Sequence, residues 1–261
     1  MVTNQDKQVL ANLVTIFKEL ECPMILVGGG ARLLIFDLKF GEGRSTTDWD
    51  VAVSLEGWEA YEKLREKLVN GDPPHFKIKT AKISHKFVHI ATNIEVDIVP
   101  FGEIGEPDKQ IFWSESDNLM NLLGFSEALS HAKTEIIDGL EIQVINIPTF
   151  VVLKVFAWGD RGESTNKDLE DIEFILSKYE DDDRVYYELV EELSSGSVDF
   201  IDANIYLLGQ DIHKMLQDKT LTELNILLEK MIKKFDYDEE RSFGYMLKVL
   251  QQGIYSLNSK T

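Results

Sequence analysis

Met24-Ile25-Leu26-Val27-Gly28-Gly29-Gly30 and, further along, Thr47-Asp48-Trp49-Asp50-Val51-Ala52-Val53 are the two stretches that decide how this chain is read. Four apolar residues that break into three glycines have the pattern of a short buried strand ended by a turn. The second stretch reads as a half-buried strand, in which side chains repeat with period two, so Asp48 and Asp50 point to one face. Two carboxylates held a few ångströms apart repel each other and need a shared proton or a cation between them. A divalent metal is the expected solution.

A third carboxylate, Asp97, stands in Ile94-Glu95-Val96-Asp97-Ile98-Val99, mid-strand in an apolar setting where an unpaired charge is expensive to bury. If that strand lies beside the first, Asp97 completes a set of hard oxygen ligands suited to Mg²⁺ or Mn²⁺. Metal ions so held activate an attacking oxygen and stabilise a leaving pyrophosphate. The glycine turn supplies the other half of such a site. Backbone amides at Gly28 and Gly29 can approach a phosphate closely because no Cβ intervenes, and a helix expected from about residue 31 to 38 favours an anion at its start. The turn is neither a P-loop nor a dinucleotide fingerprint, since Leu33 stands where a third spaced glycine belongs.

Each piece also has a plainer explanation. Asp48 and Asp50 can be turn and strand-edge residues, Asp97 can pair with Lys77 or Lys79 on a neighbouring strand, and Arg44 can be a solvated loop residue. Trp49 is expected to pack in the core. His75, His85, His89, His131 and His213 show no metal-ligand spacing and are given no catalytic role.

The chain has 261 residues, of which 44% are apolar, enough for a substantial core. Its single cysteine, Cys22, precludes an internal disulfide and fits a reducing compartment. The polar N-terminal stretch lacks a signal-peptide core and no apolar run reaches membrane-spanning length, so a cytoplasmic protein without a membrane partner is expected. Lys and Arg number 27 against 46 Asp and Glu, a net charge of −19. That argues against an extended nucleic-acid footprint. It leaves room for an NTP carried in with its own cation, and for local lysine clusters at Lys77, Lys79, Lys82 and Lys86 and at Lys154, Arg161 and Lys167.

Helical periodicity over 5–20 and 58–69 brackets the aspartate strand. Strands are expected over 75–81, 86–91 and 94–100, the last two turned by Thr92-Asn93. A second hairpin is marked by Asp138-Gly139. After Pro148 strand signals vanish and helices are expected over 149–158, 166–178, 184–194, 201–217, 220–235 and 239–256. The picture is an α+β chain: a domain over 1–147 with a mixed β-sheet flanked by helices, then a helical domain over 148–261. Asp181-Asp182-Asp183 reads as a solvated helix start. Lys154 is the one charge in Val151-Val152-Leu153-Lys154-Val155-Phe156-Ala157-Trp158, and it either snorkels to solvent or points at an anion. Lys167 and Asp171, at i and i+4, have the spacing of a surface ion pair.

Taken together, the Gly-Gly turn, Arg44-Ser45-Thr46-Thr47-Asp48-Trp49-Asp50, the strand-borne Asp97, the Asp-Gly hairpin, the helix with Lys154 and the Lys167-Asp168-x-x-Asp171 helix resemble the AbiEii/AbiGii-type nucleotidyltransferases of the polymerase-beta-like superfamily. The likeness spans about residues 24–177. It implies an N-terminal nucleotidyltransferase domain in which Gly28 and Gly29 cradle the triphosphate and Asp48, Asp50 and Asp97 bind Mg²⁺. It also implies that Asp97 is the general base and that Lys154 contacts phosphates, with Arg44 and Thr46 at the loop positions that orient them. Asp160, Arg161, Lys167, Asp168 and Asp171 match the helical motif, in either a structural or a catalytic role. Where the wider superfamily commonly has Gly-Ser, this chain has Gly-Gly, so a hydroxyl is replaced by backbone amides.

The resemblance implies transfer of an NMP from an NTP to a hydroxyl of RNA, such as a tRNA 3′ end, or of a protein, as in the toxin of a type IV toxin-antitoxin or phage-defence system with a cognate antitoxin. An aminoglycoside-like or lincosamide-like small molecule is the alternative acceptor, which the acidic surface favours. A non-catalytic nucleotide-binding module is the third reading.

Overall fold

The computed structural model describes residues 2–41, 47–80, 83–114, 117–162, 164–235, 239 and 241–257, with the side chains of residues 83, 84 and 118 left out of the description. Two compact units divide the chain, Met1–Phe150 and Val151–Thr261.

Among the described residues nine strands form in the first unit: β1 (Met24–Val27), β2 (Asp48–Ser54), β3 (Phe76–Thr80), β4 (Ile83–His89), β5 (Glu95–Phe101), β6 (Gln110–Trp113), β7 (Asn118–Asn121), β8 (Lys133–Ile137) and β9 (Leu140–Val144). Seven of them make one mixed sheet in the order β3-β4-β5-β2-β1-β9-β8, and β6 and β7 pair separately. β2 runs antiparallel to β1 and parallel to β5, in the register Asp48↔Glu95 and Asp50↔Asp97. The parallel pair is what sets the two aspartate strands side by side. Both expected hairpins form, β4-β5 and β8-β9, the latter through Asp138 and Gly139 with φ of 50° and 83°, the positive values that a two-residue hairpin turn requires.

Helix α1 (Asn4–Glu19) buries Val9, Leu10, Leu13, Val14, Ile16 and Phe17 and begins in a capping box between Thr3 and Asp6. Asp6 also accepts from the Trp49 indole N–H at 3.1 Å, tying the helix to β2. Asn12 of the same helix lies 3.2 Å from His75 Nδ1 and 3.0 Å from His89 Nε2. His89 is buried, with Nδ1 2.8 Å from the Thr92 hydroxyl. Burial, helped by the neighbouring His75, pushes its imidazole below the ordinary histidine range, so it serves the fold as a neutral hydrogen-bonded group.

Helix α2 (Gly28–Arg32) starts on the first glycine and not after the third, as the sequence led one to expect. It continues through a π-helical turn (Leu33–Asp37) into α3 (Leu38–Phe40). The π turn brings Arg32 and Asp37, five residues apart, into a buried ion pair with Nε 3.0 Å from Oδ1. α4 (Trp58–Asn70) and α5 (Phe125–Ser130) complete the unit. The β6-β7 ribbon and α5 were not anticipated. Gln110 to Trp113 does alternate exposed and buried, but over only four residues.

The second unit is helical: α6 (Ile147–Arg161, within which the division falls), α7 (Lys167–Lys178), α8 (Asp182–Glu188), α9 (Val190–Ser195), α10 (Ala203–Met215), α11 (Asp218–Lys234) and α12 (Phe243–Ser256). The single helix expected over 184–194 is two, because Leu189 leaves the helical region at φ −112°, ψ 23°. α10 and α12 approach backbone to backbone at Gly209 and Gly253, where an added Cβ would lie 2.3 Å from the Leu250 carbonyl and 2.1 Å from that of Tyr206. Among the described residues no helix is long and apolar enough to cross a membrane.

Candidate active site

The site begins at the end of β1. Gly28 has φ +64°, and a Cβ built on it would lie 1.9 Å from Asp50 Oδ2. The absent side chain therefore does two things: it permits a left-handed backbone and it lets the Asp50 carboxylate rest against the helix start. Gly30 makes the corresponding room for Trp49, whose ring carbon Cε3 would be 2.6 Å from an added Cβ. Trp49 is buried, as expected of a core residue. With Val27 as N-cap, the amides of Gly28, Gly29 and Gly30 belong to a helical first turn, where backbone N–H groups have no partner four residues back.

Across the sheet one row runs Lys86 on β4, Asp97 on β5 and Asp50 on β2; a parallel row pairs Glu95 with Asp48. Alternation puts all of these side chains on one face. Lys86 pairs with Asp97 Oδ2, so the lysine partner of Asp97 is Lys86 and neither Lys77 nor Lys79. Lys79 instead pairs with Glu95. That hydrogen bond holds the Lys79 ammonium above the usual lysine range against its desolvation, with the charges of Asp97 and Asp48 contributing. Four carboxylates and two lysines thus share the face.

The donors suit a hard divalent cation in kind: Asp50 and Asp97 are register partners on adjacent strands, and Asp97 Oδ1 is buried with no hydrogen-bond partner. A buried oxygen of this sort is costly unless something meets it. Among the described residues, however, no group of three or more His, Cys, Asp or Glu is gathered closely enough to hold a metal. The lysine on Asp97 is the physical reason we assign, since Oδ2 is committed to an ammonium. A cation held by Asp48, Asp50 and Asp97 requires that pairing to loosen.

Lys154 does not reach solvent. Its ammonium lies 3.0 Å from Asp168 Oδ1 and 2.7 Å from Asp171 Oδ2, all three residues being buried. Arg161 closes the other side of Asp168 with Nε 2.9 Å from Oδ2. Burial works to raise the Asp168 carboxyl, but the Arg161 hydrogen bond and the Lys154 charge outweigh it and hold it below the usual carboxylate range. Within the helical unit Lys154, Arg161, Asp168 and Asp171 form a brace between α6 and α7. The geometry supports the structural role for this group over phosphate contact. Asp171 is turned inward to Lys154 while Lys167 and Asp160 are exposed, so the spacing of Lys167 and Asp171 does not describe a surface pair. Arg44, Thr46 and Lys82 lie outside the described residues. Cys22 is a free thiol pushed up by burial, the opposite of an activated nucleophile.

Sequence reasoning missed Lys86 as the partner of Asp97, and it missed Glu95. The Glu95 signal was present, since both β5 carboxylates sit two apart, as Asp48 and Asp50 do. The Lys86 signal was not: a turn at Thr92-Asn93 would set Val88 opposite Asp97, and it is the observed loop over 90–93 that brings Lys86 there.

No protein-family model matches the chain, and no curated protein matches it. Among solved structures it is similar to an antigenic nucleotidyltransferase-like protein from Paracoccidioides brasiliensis, with TM-score 0.45 and 15% identity over 76% of this chain and 92% of that one. It is also similar to JHP933 from Helicobacter pylori, with TM-score 0.34 and 16% identity over 100% and 99%. A third is the antibiotic-resistance factor ANT(2'')-Ia, with TM-score 0.34 and 13% identity over 74% and 100%. All three scores lie below 0.5.

Proposed function

We propose that the first unit is a metal-dependent nucleotidyltransferase that moves an NMP from an NTP to a hydroxyl acceptor. One observation carries the reading: Asp50 rests against the first residue of a glycine-opened helix and is the register partner of Asp97, whose Oδ1 is buried without a partner. That adjacency supports a reading in which the triphosphate and the cation that accompanies it would bind side by side.

In this reading the amides of Gly28 and Gly29 receive the triphosphate, and Asp48, Asp50 and Asp97 hold the Mg²⁺ or Mn²⁺. The bound ion would supply positive charge to the attacking and leaving oxygens. Asp97 takes the proton of the acceptor hydroxyl as general base. The hydroxyl oxygen bonds to the α-phosphorus while the bond from that phosphorus to the bridging oxygen breaks, and pyrophosphate departs with the electron pair. The expected acceptor is a hydroxyl of RNA or protein. The net charge of −19 favours a second reading with the same chemistry and a cationic small-molecule acceptor. The test is to offer each labelled NTP with total RNA, with a protein extract and with a panel of aminoglycosides and lincosamides. Label in RNA or protein alone removes the second reading, and label in a drug alone removes the first.

A further inference from the structure

Residues 180–202 concentrate two properties that surfaces usually keep apart. The segment carries nine carboxylates against the single cation Arg184, a net of −8 out of the chain's −19. Arg184 is already committed, bidentate to Asp211 at 2.7 and 2.8 Å and bonded to Glu188 at 2.7 Å. Asp182, Asp183, Glu191 and Asp199 remain on the exposed surface.

The same segment exposes apolar bulk. Of thirteen large hydrophobic side chains exposed among the described residues, five fall here: Tyr186 (59%), Tyr187 (84%), Val190 (52%), Phe200 (50%) and Ile201 (47%). Tyr186, Tyr187 and Val190 follow one another along α8 and the start of α9, and the Tyr186 ring lies 5.6 Å from that of Phe200, the neighbour of Ile201. The core does not need them. Val185, Leu189, Val198, Ala203 and Leu207 fill the inward side of these elements, with Leu193 and Tyr206 packed against them. α8, α9 and the turn before α10 are therefore apolar on two sides, only one of which is used. Gathered exposed apolar groups rimmed by one sign of charge mark an interaction surface.

We propose that this face of the helical unit docks a basic amphipathic segment of a partner protein. The segment's apolar side chains cover Tyr186, Tyr187, Val190, Phe200 and Ile201, and its lysines or arginines meet the surrounding carboxylates. Charge decides among the possible occupants. Phosphate backbones and anionic lipid surfaces are repelled by the rim. A second copy would bring the same negative rim to a two-fold contact, placing like charges opposite each other. A cationic partner alone gains from both the apolar patch and the rim.

The test titrates the full chain into a fluorescein-labelled helical peptide of lysine and leucine, about 18 residues long or five turns, and reads anisotropy. A lysine–serine peptide of equal charge and a glutamate–leucine peptide run in parallel. The expected result is saturable binding of the lysine–leucine peptide, weakened by about tenfold or more in Tyr187→Ser/Phe200→Ser, a hot-spot-sized loss, with unchanged circular dichroism. Asp183→Asn/Glu191→Gln keeps the apolar patch and should bind with a flatter salt dependence. Absence of binding, equal binding by the lysine–serine peptide, or full binding by the Tyr187→Ser/Phe200→Ser variant would overturn the proposal. So would a native dimer that dissociates in that variant, which would assign the face to a second copy.

Discussion

At the scale of single residues, Gly28 and Lys86 bear most on the site. Alanine at position 28 would need a left-handed φ and would drive its Cβ to 1.9 Å from Asp50 Oδ2, so either the carboxylate or the helix start must shift. A displacement near 1 Å at a reacting centre costs about a hundredfold. Gly28→Ala is therefore expected to lose about that much transfer activity while its circular dichroism stays native; near-normal activity would mean that Asp50 is not where the chemistry is. Lys86 makes the opposite prediction. Its ammonium neutralises Asp97, so removing it should strengthen cation binding. A charge pair at contact distance is worth up to about 4 kcal/mol near a protein surface, and a residual of a third of that is about tenfold. Manganese titration followed by electron paramagnetic resonance should show Lys86→Met binding about tenfold more tightly than wild type, and an unchanged or weaker affinity would remove Lys86 from the account. The three aspartates and the glycines were legible in the sequence because each breaks a local pattern, a charge in an apolar strand or a missing side chain at a turn. Lys86 was harder to see because a lysine in a strand breaks nothing; only the hairpin register assigns it a partner.

At the scale of elements, the brace between α6 and α7 has a definite pH dependence. The Asp168 carboxyl titrates below its ordinary value, about 3.9, because Arg161 and Lys154 outweigh its burial. As acid is added the unfolded chain takes up this proton first. The stability that Asp168 contributes is thus complete above the ordinary value and is lost as pH falls from there toward the folded value. Asp168→Asn should lower stability by about 3 kcal/mol at neutral pH, because it leaves Arg161 and Lys154 short of a buried partner. Urea unfolding of the variant between pH 6 and pH 2, a span of about two units either side of the carboxylate range, should also show a shallower decline than wild type. Parallel declines would mean that the pair adds nothing. The sequence showed this helix pair by its 3.6-residue periodicity, yet the inward aim of Lys154 was not decided there, since an isolated lysine among apolar residues fits both a solvent-reaching and a buried, paired side chain. The β6-β7 ribbon escaped for a related reason: Ile111 and Trp113 alternate with Gln110 and Phe112 over too few residues to separate a strand from chance. The break at Leu189 lies in the backbone and leaves no mark on the apolar spacing of the helices on either side.

At the scale of the whole molecule, the α+β organisation follows from where periodicity changes: strands alternate with helices through the first unit, and the pattern turns wholly helical in the second. The strand order could not be read in the same way. That β5 inserts beside β2 and runs parallel to it depends on long-range pairing, and no local spacing encodes it; the third aspartate becomes a neighbour of the first two only through that pairing. Charge belongs to this scale as well. The acidity that argues against an extended nucleic-acid footprint is concentrated in residues 180–202, and the carboxylates of the sheet face are partly balanced by Lys79 and Lys86. The most direct measurement of the central claim is transfer of label from α-³²P NTPs into RNA, protein or the drug panel, with and without Mg²⁺, by the full chain and by Asp48→Ala and Asp50→Ala. Mg²⁺-dependent label is expected in one acceptor class, falling by at least about a hundredfold in both variants, as when charge stabilisation at the reacting centre is removed. Label that persists in the variants, or none from a correctly folded native chain with any acceptor, would contradict that claim.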